Sequence, residues 1–343
     1  MKRLLNTLFV TSEDAYLALD AENVVVYREK TEIGRFPLHN FEAIISFSYA
    51  GASPALMGAC AKRGIGISFC SPGGRFLART AGITNGNVLL RRAQYRTADD
   101  PVLSCQIARN MIWGKLYNCR WSIERTKRDH KLRIDEDRFQ KASAAIYDLM
   151  PLVMAETSLD SLRGWEGTAA TIYFGMLDDM ILRSKDDFFF HGRNRRPPRD
   201  NVNAMLSFAY GLLSRDCAAA LEGVGLDAYV GFMHRDRPGR TSLALDIMEE
   251  LRPCFADRFV LTLINNKIMQ ADDFEKTETG AVNITDQGRR KFLKSWQERK
   301  QEQITHPYLQ EKMSWGLLPY VQSLLLARYL RGDLDAYPPF LWK

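Results

Sequence analysis

The sequence predicts an α+β protein: a small β-rich N-terminal domain over residues 1–90, then a larger all-α domain over residues 91–335. Three observations carry this. The first 85 or so residues hold short runs rich in Val, Ile and Phe, separated by turn-forming residues. From residue 102 to residue 196 there is a single proline, Pro151. The segment VLSCQIARNMIWGKLYNCRWSIERTKRD is long and amphipathic, and helical spacing continues to about residue 332.

Taken in order, LALDAENVVVYREKTEIGRFPL holds two β-type runs. Asp20, Ala21, Glu22 and Asn23 form a turn between them, and Gly34 and Pro37 punctuate the end. EAIISFSY and GIGISFC read as buried strands, with SPALMGACAK as a short helix between them. SPGGRF (71–76) reads as a turn, TNGN (84–87) as a loop, and LLRRAQY as a helix start. The closing DAYPPFLWK reads as a loosely held tail. There is no internal repeat and no low-complexity segment.

The chain has 343 residues, of which 46% are hydrophobic and 26% charged. That composition belongs to a folded protein and excludes a disordered one. The formal charge of +6 permits a polyanionic partner without requiring one, so clustering of arginines matters more than the total. The six cysteines form no CxxC pair, which points to reduced thiols and argues against a cysteine-based zinc site. The start turns polar before any signal-type apolar stretch develops, and no run reaches the roughly 18 apolar residues of a membrane span. A cytoplasmic protein with no membrane partner is expected.

The candidate chemistry lies in four segments. SLALDIMEEL reads as a helix capped by Thr241 or Ser242, with Leu243, Ile247 and Leu251 in one stripe. Asp246, Glu249 and Glu250 share the opposite arc, where a solvated acidic face is the plainer reading. His234 precedes Asp246 by twelve residues, in a loop with Arg235, Arg237 and Arg240. Carboxylates with one imidazole suit a divalent cation. In SLRGWEGTAATIYF, Glu166 sits among small residues at what reads as a helix start, and Ala170, Phe174, Leu177 and Ile181 read as core. In HGRNRRPPRD, Arg193, Arg195, Arg196 and Arg199 precede a helix capped by Asp200, a natural phosphate-binding surface. RTKRDHKLR and RRKFLKSWQERK are further basic stretches that read equally as exposed helix faces. Acids, histidine and arginines together point to phosphoryl transfer on nucleic acid. Residue types alone do not separate nuclease, integrase and phosphatase.

GWEGTAATIYF, RRPPRDNVNAMLSFAYGLL and GFMHRDRPGRTSLALDIMEELRP, in that order, resemble the CRISPR-associated integrase and endonuclease family that acquires new spacers. LLNTLFVTSEDAYLALDAENVVVY and VLLRRAQY resemble the type I-C branch of that family, and the resemblance spans essentially the whole chain. It implies an all-α catalytic domain and a homodimer paired through the N-terminal domains. It also implies a small companion protein that bridges two dimers into a heterohexameric integration complex. The activity implied is manganese- or magnesium-dependent cleavage of DNA and joining of spacer ends into the CRISPR repeat array beside its leader. By motif, the implied metal ligands are Glu166, His234 and Glu249, with Asp246 either binding metal or orienting a ligand. Glu250 stays open as the third ligand. Tyr210 matches a family position near the active site, and the arginines at 193–199 and 235–240 would hold DNA backbone. Two alternatives are a non-catalytic DNA-binding scaffold and a hydrolase of small phosphate esters.

Overall fold

The structure is a computed structural model that describes residues 6–12, 14–72, 76–80 and 87–343. The turn expected over SPGGRF and the loop expected over TNGN lie largely outside these residues. The chain divides into two compact units, residues 1–85 with 284–302, and residues 86–283 with 303–343.

The first unit opens with β1 (Thr7–Val10) and a three-stranded antiparallel meander, β2 (Tyr16–Asp20), β3 (Asn23–Arg28) and β4 (Thr31–Pro37). The sequence reading gave two runs here, and the structure has three strands. The missed break is Glu29–Lys30, both at positive φ of 49° and 68°. That backbone matches the right-handed twist of a tight hairpin, although neither residue type advertises it. Gly34, expected as punctuation, lies inside β4 opposite Val26, where the register shifts past Ile33. A residue without a side chain suits such a bulge.

β5 (Ala43–Ser46), α1 (Pro54–Arg63), β6 (Gly66–Cys70) and β7 (Phe76–Arg79) complete the four-stranded sheet, in the order β1-β5-β6-β7. β1, β5 and β6 run parallel and β7 antiparallel. Ser53 caps α1 by accepting from the Leu56 N–H at 3.2 Å. Leu17, Val24, Ile44, Leu56, Cys60 and Ile67 form the fully buried centre.

The second unit begins with α2 (Val88–Asp99) and its spine, α3 (Pro101–Asp129). Asp100 caps α3, accepting from the backbone N–H of Val102 at 2.8 Å and of Leu103 at 3.1 Å. Then come α4 (Glu136–Ala155), α5 (Leu159–Gly175) and α6 (Asn201–Gly223), the last capped by Asp200 as the sequence implied. α7 (Ser242–Leu251) runs through a widened π turn, Arg252–Asp257, into α8 (Arg258–Asn265). Short ribbons, β8 (Phe274–Lys276) with β9 (Val282–Ile284) and β10 (Gln303–Thr305) with β11 (Lys312–Ser314), interrupt what the sequence presented as all helix. α9 (Asp286–Gln301) belongs to the first unit, where Arg289 lies 5.8 Å from the Phe47 ring centre. α10 (Leu318–Leu330) closes the second unit.

Two expectations are overturned here. The arc of α7 that carries its acids is not solvated: Asp246 and Glu250 are 0% exposed and Glu249 5%. α3, α6 and α10 all pack against α7, so every side of it is enclosed. The closing residues are not a loose tail either. Tyr337 and Phe340 are each 1% exposed. The Phe340 ring packs 5.9 Å from Trp315, and the Trp342 N–H donates to Asn118 Oδ1 on α3 at 2.8 Å. All six cysteines are buried, and none is in a disulfide. Among the described residues, no helix is long and apolar enough to cross a membrane.

Candidate active site

The site is built where α3, α5 and α7 meet the loop that precedes α7. Glu166 lies on α5 two turns beyond its cap, Ser158, and not at a helix start as the sequence suggested. Gly164 and Gly167 beside it have open space where a Cβ would be, so no described element covers that face. Of the expected α5 core, Ala170 and Phe174 are only half-buried, and Ala169 and Tyr173 take the buried positions.

At the centre is Lys115 of α3, which sequence reading missed. Its ammonium hydrogen-bonds Glu166 Oε1 and lies 2.8 Å from Glu249 Oε2. Its side chain is 5% exposed. Burial works to lower its pKa, but Glu249 and Glu166 outweigh that, and the net shift is upward. Burial likewise acts to raise the Glu249 carboxyl. Arg252, Lys115 and His234 overcome it and hold the group at about 2. Arg252, three residues on from Glu249, donates to Oε2.

His234 enters from the loop, with Nε2 3.8 Å from Glu249 Oε1. Its orientation is set by Asp246, whose Oδ1 lies 2.6 Å from His234 Nδ1. Asp246 also accepts backbone N–H groups from Phe232 (2.7 Å), Met233 (3.0 Å) and His234 (3.0 Å). Both its oxygens are engaged with the loop, which is the arrangement of an orienting carboxylate. Arg163 clamps the same loop from α5, donating to the Met233 carbonyl through Nη2 at 2.7 Å and Nε at 3.1 Å. An open cleft of about 430 Å³ borders His234 on the side of Asp160, Arg163 and Arg235.

Gly231 permits this approach. A Cβ there would stand 2.8 Å from Asp246 Oδ2 and 2.9 Å from both the carbonyl carbon and Cβ of Ser242. Gly231→Ala is expected to cost about 2 kcal/mol in overpacking and to displace His234. An ångström of misplacement costs roughly a hundredfold in rate. Thermal melting and DNA strand-transfer assays on the variant check this, and parental values in both would refute the fit.

The structure also separates the two adjacent glutamates. Glu250 points away from His234 into the C-terminal segment. There it accepts from the Tyr337 hydroxyl, from Gln322 Nε2 at 2.9 Å and from the Phe340 N–H at 2.9 Å. Burial pushes its carboxyl up to about 7 against those hydrogen bonds. Gly114 gives this segment room, since a Cβ there would lie 2.7 Å from Pro339 Cβ.

The basic loop before α6 divides in two. Arg193 is half-buried, donating to Asn203 Oδ1 at 2.6 Å, to the Asn194 carbonyl at 2.7 Å and to Ser207 Oγ at 3.1 Å. It anchors the loop to α6, whereas Arg195, Arg196 and Arg199 are exposed. In the second cluster Arg235 and Arg237 are exposed and Arg240 is half-buried, with Arg235 2.8 Å from Asp160 Oδ1. Tyr210 donates its hydroxyl to Asp257 Oδ1 at 2.5 Å, and Arg252 lies 5.5 Å from its ring centre. Burial raises the Asp257 carboxyl. The π turn carries both Arg252 and Asp257 inward, a local distortion frequent at functional sites.

Glu166 and Glu249 therefore meet at one cation, the Lys115 ammonium, and His234 Nε2 stands beside Glu249. Among the described residues no three His, Cys, Asp or Glu side chains close on a common point, and the ammonium lies between the two carboxylates. The donor set, two carboxylates and an imidazole nitrogen, fits a hard divalent cation in the ammonium's place.

The family profile described as "CRISPR associated protein Cas1" matches residues 8–298. "CRISPR-associated endonuclease Cas1 2" of Rhodospirillum rubrum is 48% identical over 348 residues, covering all of both chains. Among solved structures, "Casposase bound to integration product" superposes with a TM-score of 0.83 at 22% identity, covering 98% of this chain and 94% of that one. A chain of the "Cas6-RT-Cas1--Cas2 complex" superposes with a TM-score of 0.80 at 22% identity, covering 98% of this chain and 36% of that one. With its full-length identity to a curated relative and a profile match over most of its length, the chain belongs to the Cas1 family of CRISPR-associated endonucleases.

Proposed function

We propose that Glu166, His234 and Glu249 hold a manganese or magnesium ion that serves cleavage and strand transfer of DNA, inserting spacer DNA into a CRISPR array. One observation carries this reading: two carboxylates share one buried cation, and an Asp-oriented imidazole lies 3.8 Å from one of them. When bound, the metal supplies Lewis-acid stabilisation of charge at phosphorus and a lowered pKa for a bound hydroxyl. Asp246 fixes the His234 ring so that Nδ1 faces Asp246 and Nε2 faces the site. Arg252 keeps Glu249 ionised and aimed. Exposed Arg195, Arg196, Arg199, Arg235 and Arg237, with Arg240, hold phosphate groups, which position DNA without reading its sequence. Arg193 and Tyr210 support that surface from beneath. With water as nucleophile the product is a nick, and with a spacer 3′-hydroxyl it is a joined strand.

The branch reading is type I-C, supported by the N-terminal motifs. The proposed assembly is a cytoplasmic homodimer paired through the first unit, two of which are bridged by a small companion protein. The solved Cas1–Cas2 assembly on the same fold supports the companion. The six arginines of the two clusters assigned to phosphate exceed the one or two clamps that a small phosphate ester needs. The test is strand transfer and cleavage of a labelled branched duplex with manganese and with EDTA, beside a small phosphodiester. Metal-dependent activity confined to the duplex is expected. Activity that survives EDTA, or that prefers the small ester, would overturn the reading.

A further inference from the structure

We infer that the outer ridge of α3 is a second nucleic-acid surface, a stacking platform for the unpaired bases of a single strand. It rests on the nucleic-acid reading above and not on the metal site. Trp113, Tyr117 and Trp121 recur every four residues along α3. Their rings lie 5.7 Å and 6.1 Å apart, the first pair stacked and the second tilted. At about 100° per residue, Trp113 and Tyr117 fall on the side of the helix opposite Lys115. The ridge is therefore not a wall of the site described above.

Its neighbours are cations and further rings. Arg120 lies 5.7 Å from the Trp121 ring centre and 5.2 Å from that of Tyr147 on α4. Lys343 Nζ lies 5.0 Å from the Trp121 ring centre. Beyond it, Arg125 lies 3.9 Å from the ring centre of Trp342. The three α3 rings are half-buried at the rim, where Trp113 and Tyr117 stack on one another, and Tyr147 beside them is 57% exposed. Rings explain base contact, and interleaved Arg and Lys explain phosphate contact. That combination is the chemistry of sequence-tolerant single-strand binding. Paired bases in a duplex cannot present their faces to such a ridge. RTKRDHKLR, the basic stretch that the active site leaves unused, continues from the C-terminal end of this ridge.

The probe is a labelled oligothymidylate of about 12 nucleotides, titrated onto the full chain in EDTA and followed by anisotropy and tryptophan quenching. Tyr117→Ala with Trp121→Ala is expected to weaken binding by about 10- to 100-fold, on the scale of one or two lost base stacks. Tyr117→Phe is expected to bind like the parent. His234→Ala is expected to bind normally while losing strand transfer, which keeps failure of the two readings apart. A folded double variant that binds within twofold of the parent overturns the platform. So does loss of binding on Arg120→Gln with the ring variants unaffected, which would reduce the surface to charge alone. If the double variant does not fold, Tyr147→Ala with Lys343→Glu carries the test, because both side chains are exposed. Unchanged affinity there overturns the proposal and leaves the ridge as a protein-facing surface.

Discussion

His234→Ala lowers metal-dependent strand transfer and cleavage by at least about a hundredfold, with the melting temperature within a few degrees of the parent. Loss of an outer-shell partner alone costs 10- to 100-fold in metal affinity or activity, and a first ligand is worth no less. Stability is expected to hold because the ring lies at the mouth of the site, 21% exposed, and not in the core. Removing it leaves Asp246 Oδ1 with the His234 backbone N–H and Oδ2 with the Phe232 and Met233 N–H groups, so the loop keeps its anchors. Asp246→Asn provides the contrast. It should destabilise the chain, because an amide cannot accept from four donors as a carboxylate does, and it should lower activity through the misplaced imidazole. Near-parental strand transfer by folded His234→Ala would remove histidine from the site, and the scaffold alternative would move forward.

The parts of this site that were legible in sequence share a feature: they announce themselves by local pattern. His234 twelve residues before Asp246, and the acids three apart on one helix, are visible because the spacing is local. Asp200 capping α6 is visible for the same reason. Lys115 was not legible. It is a single lysine inside the apolar run of α3, 51 residues from Glu166, and such a residue reads as a charge that snorkels to the surface. Only the fold shows that it is buried between two carboxylates. The same limit explains the choice between Glu249 and Glu250. Periodicity places both on one arc, but which of them meets His234 depends on the C-terminal segment, 87 residues beyond Glu250, closing over the other. That segment was misread for a related reason. DAYPPFLWK has the prolines and brevity of a frayed end, and its burial comes entirely from contacts with α3 and α7. In the first unit the buried strands β5 and β6 were legible, while β1 and β7 were not, and neither was the Glu29–Lys30 hairpin, whose positive φ values are imposed by strand pairing and not chosen by residue type.

Lys115→Met produces the other large effect, and its sign depends on metal. In EDTA the variant is expected to lose about 3–5 kcal/mol of stability, the cost of leaving buried charge without its partner. Glu166 and Glu249 then face each other across an apolar side chain of similar length, with Arg252 and His234 left to offset them. Manganese reverses this. In the proposed site the ammonium and a divalent ion compete for the same two carboxylates, so removing the ammonium removes the competitor. The variant should therefore bind manganese at least about tenfold more tightly, a difference of about 1.4 kcal/mol, and its melting temperature should rise more on adding manganese than the parent's does. Adding Glu166→Gln to Lys115→Met should recover part of the stability lost in EDTA, because one of the two opposed charges is gone. It should also abolish the extra manganese stabilisation, because a ligand is gone with it. Calorimetric titration and melting with and without metal separate these outcomes. A Lys115→Met chain as stable as the parent in EDTA would mean that the carboxylates do not depend on this lysine. A manganese response no larger than the parent's would mean that the ion binds somewhere other than between Glu166 and Glu249.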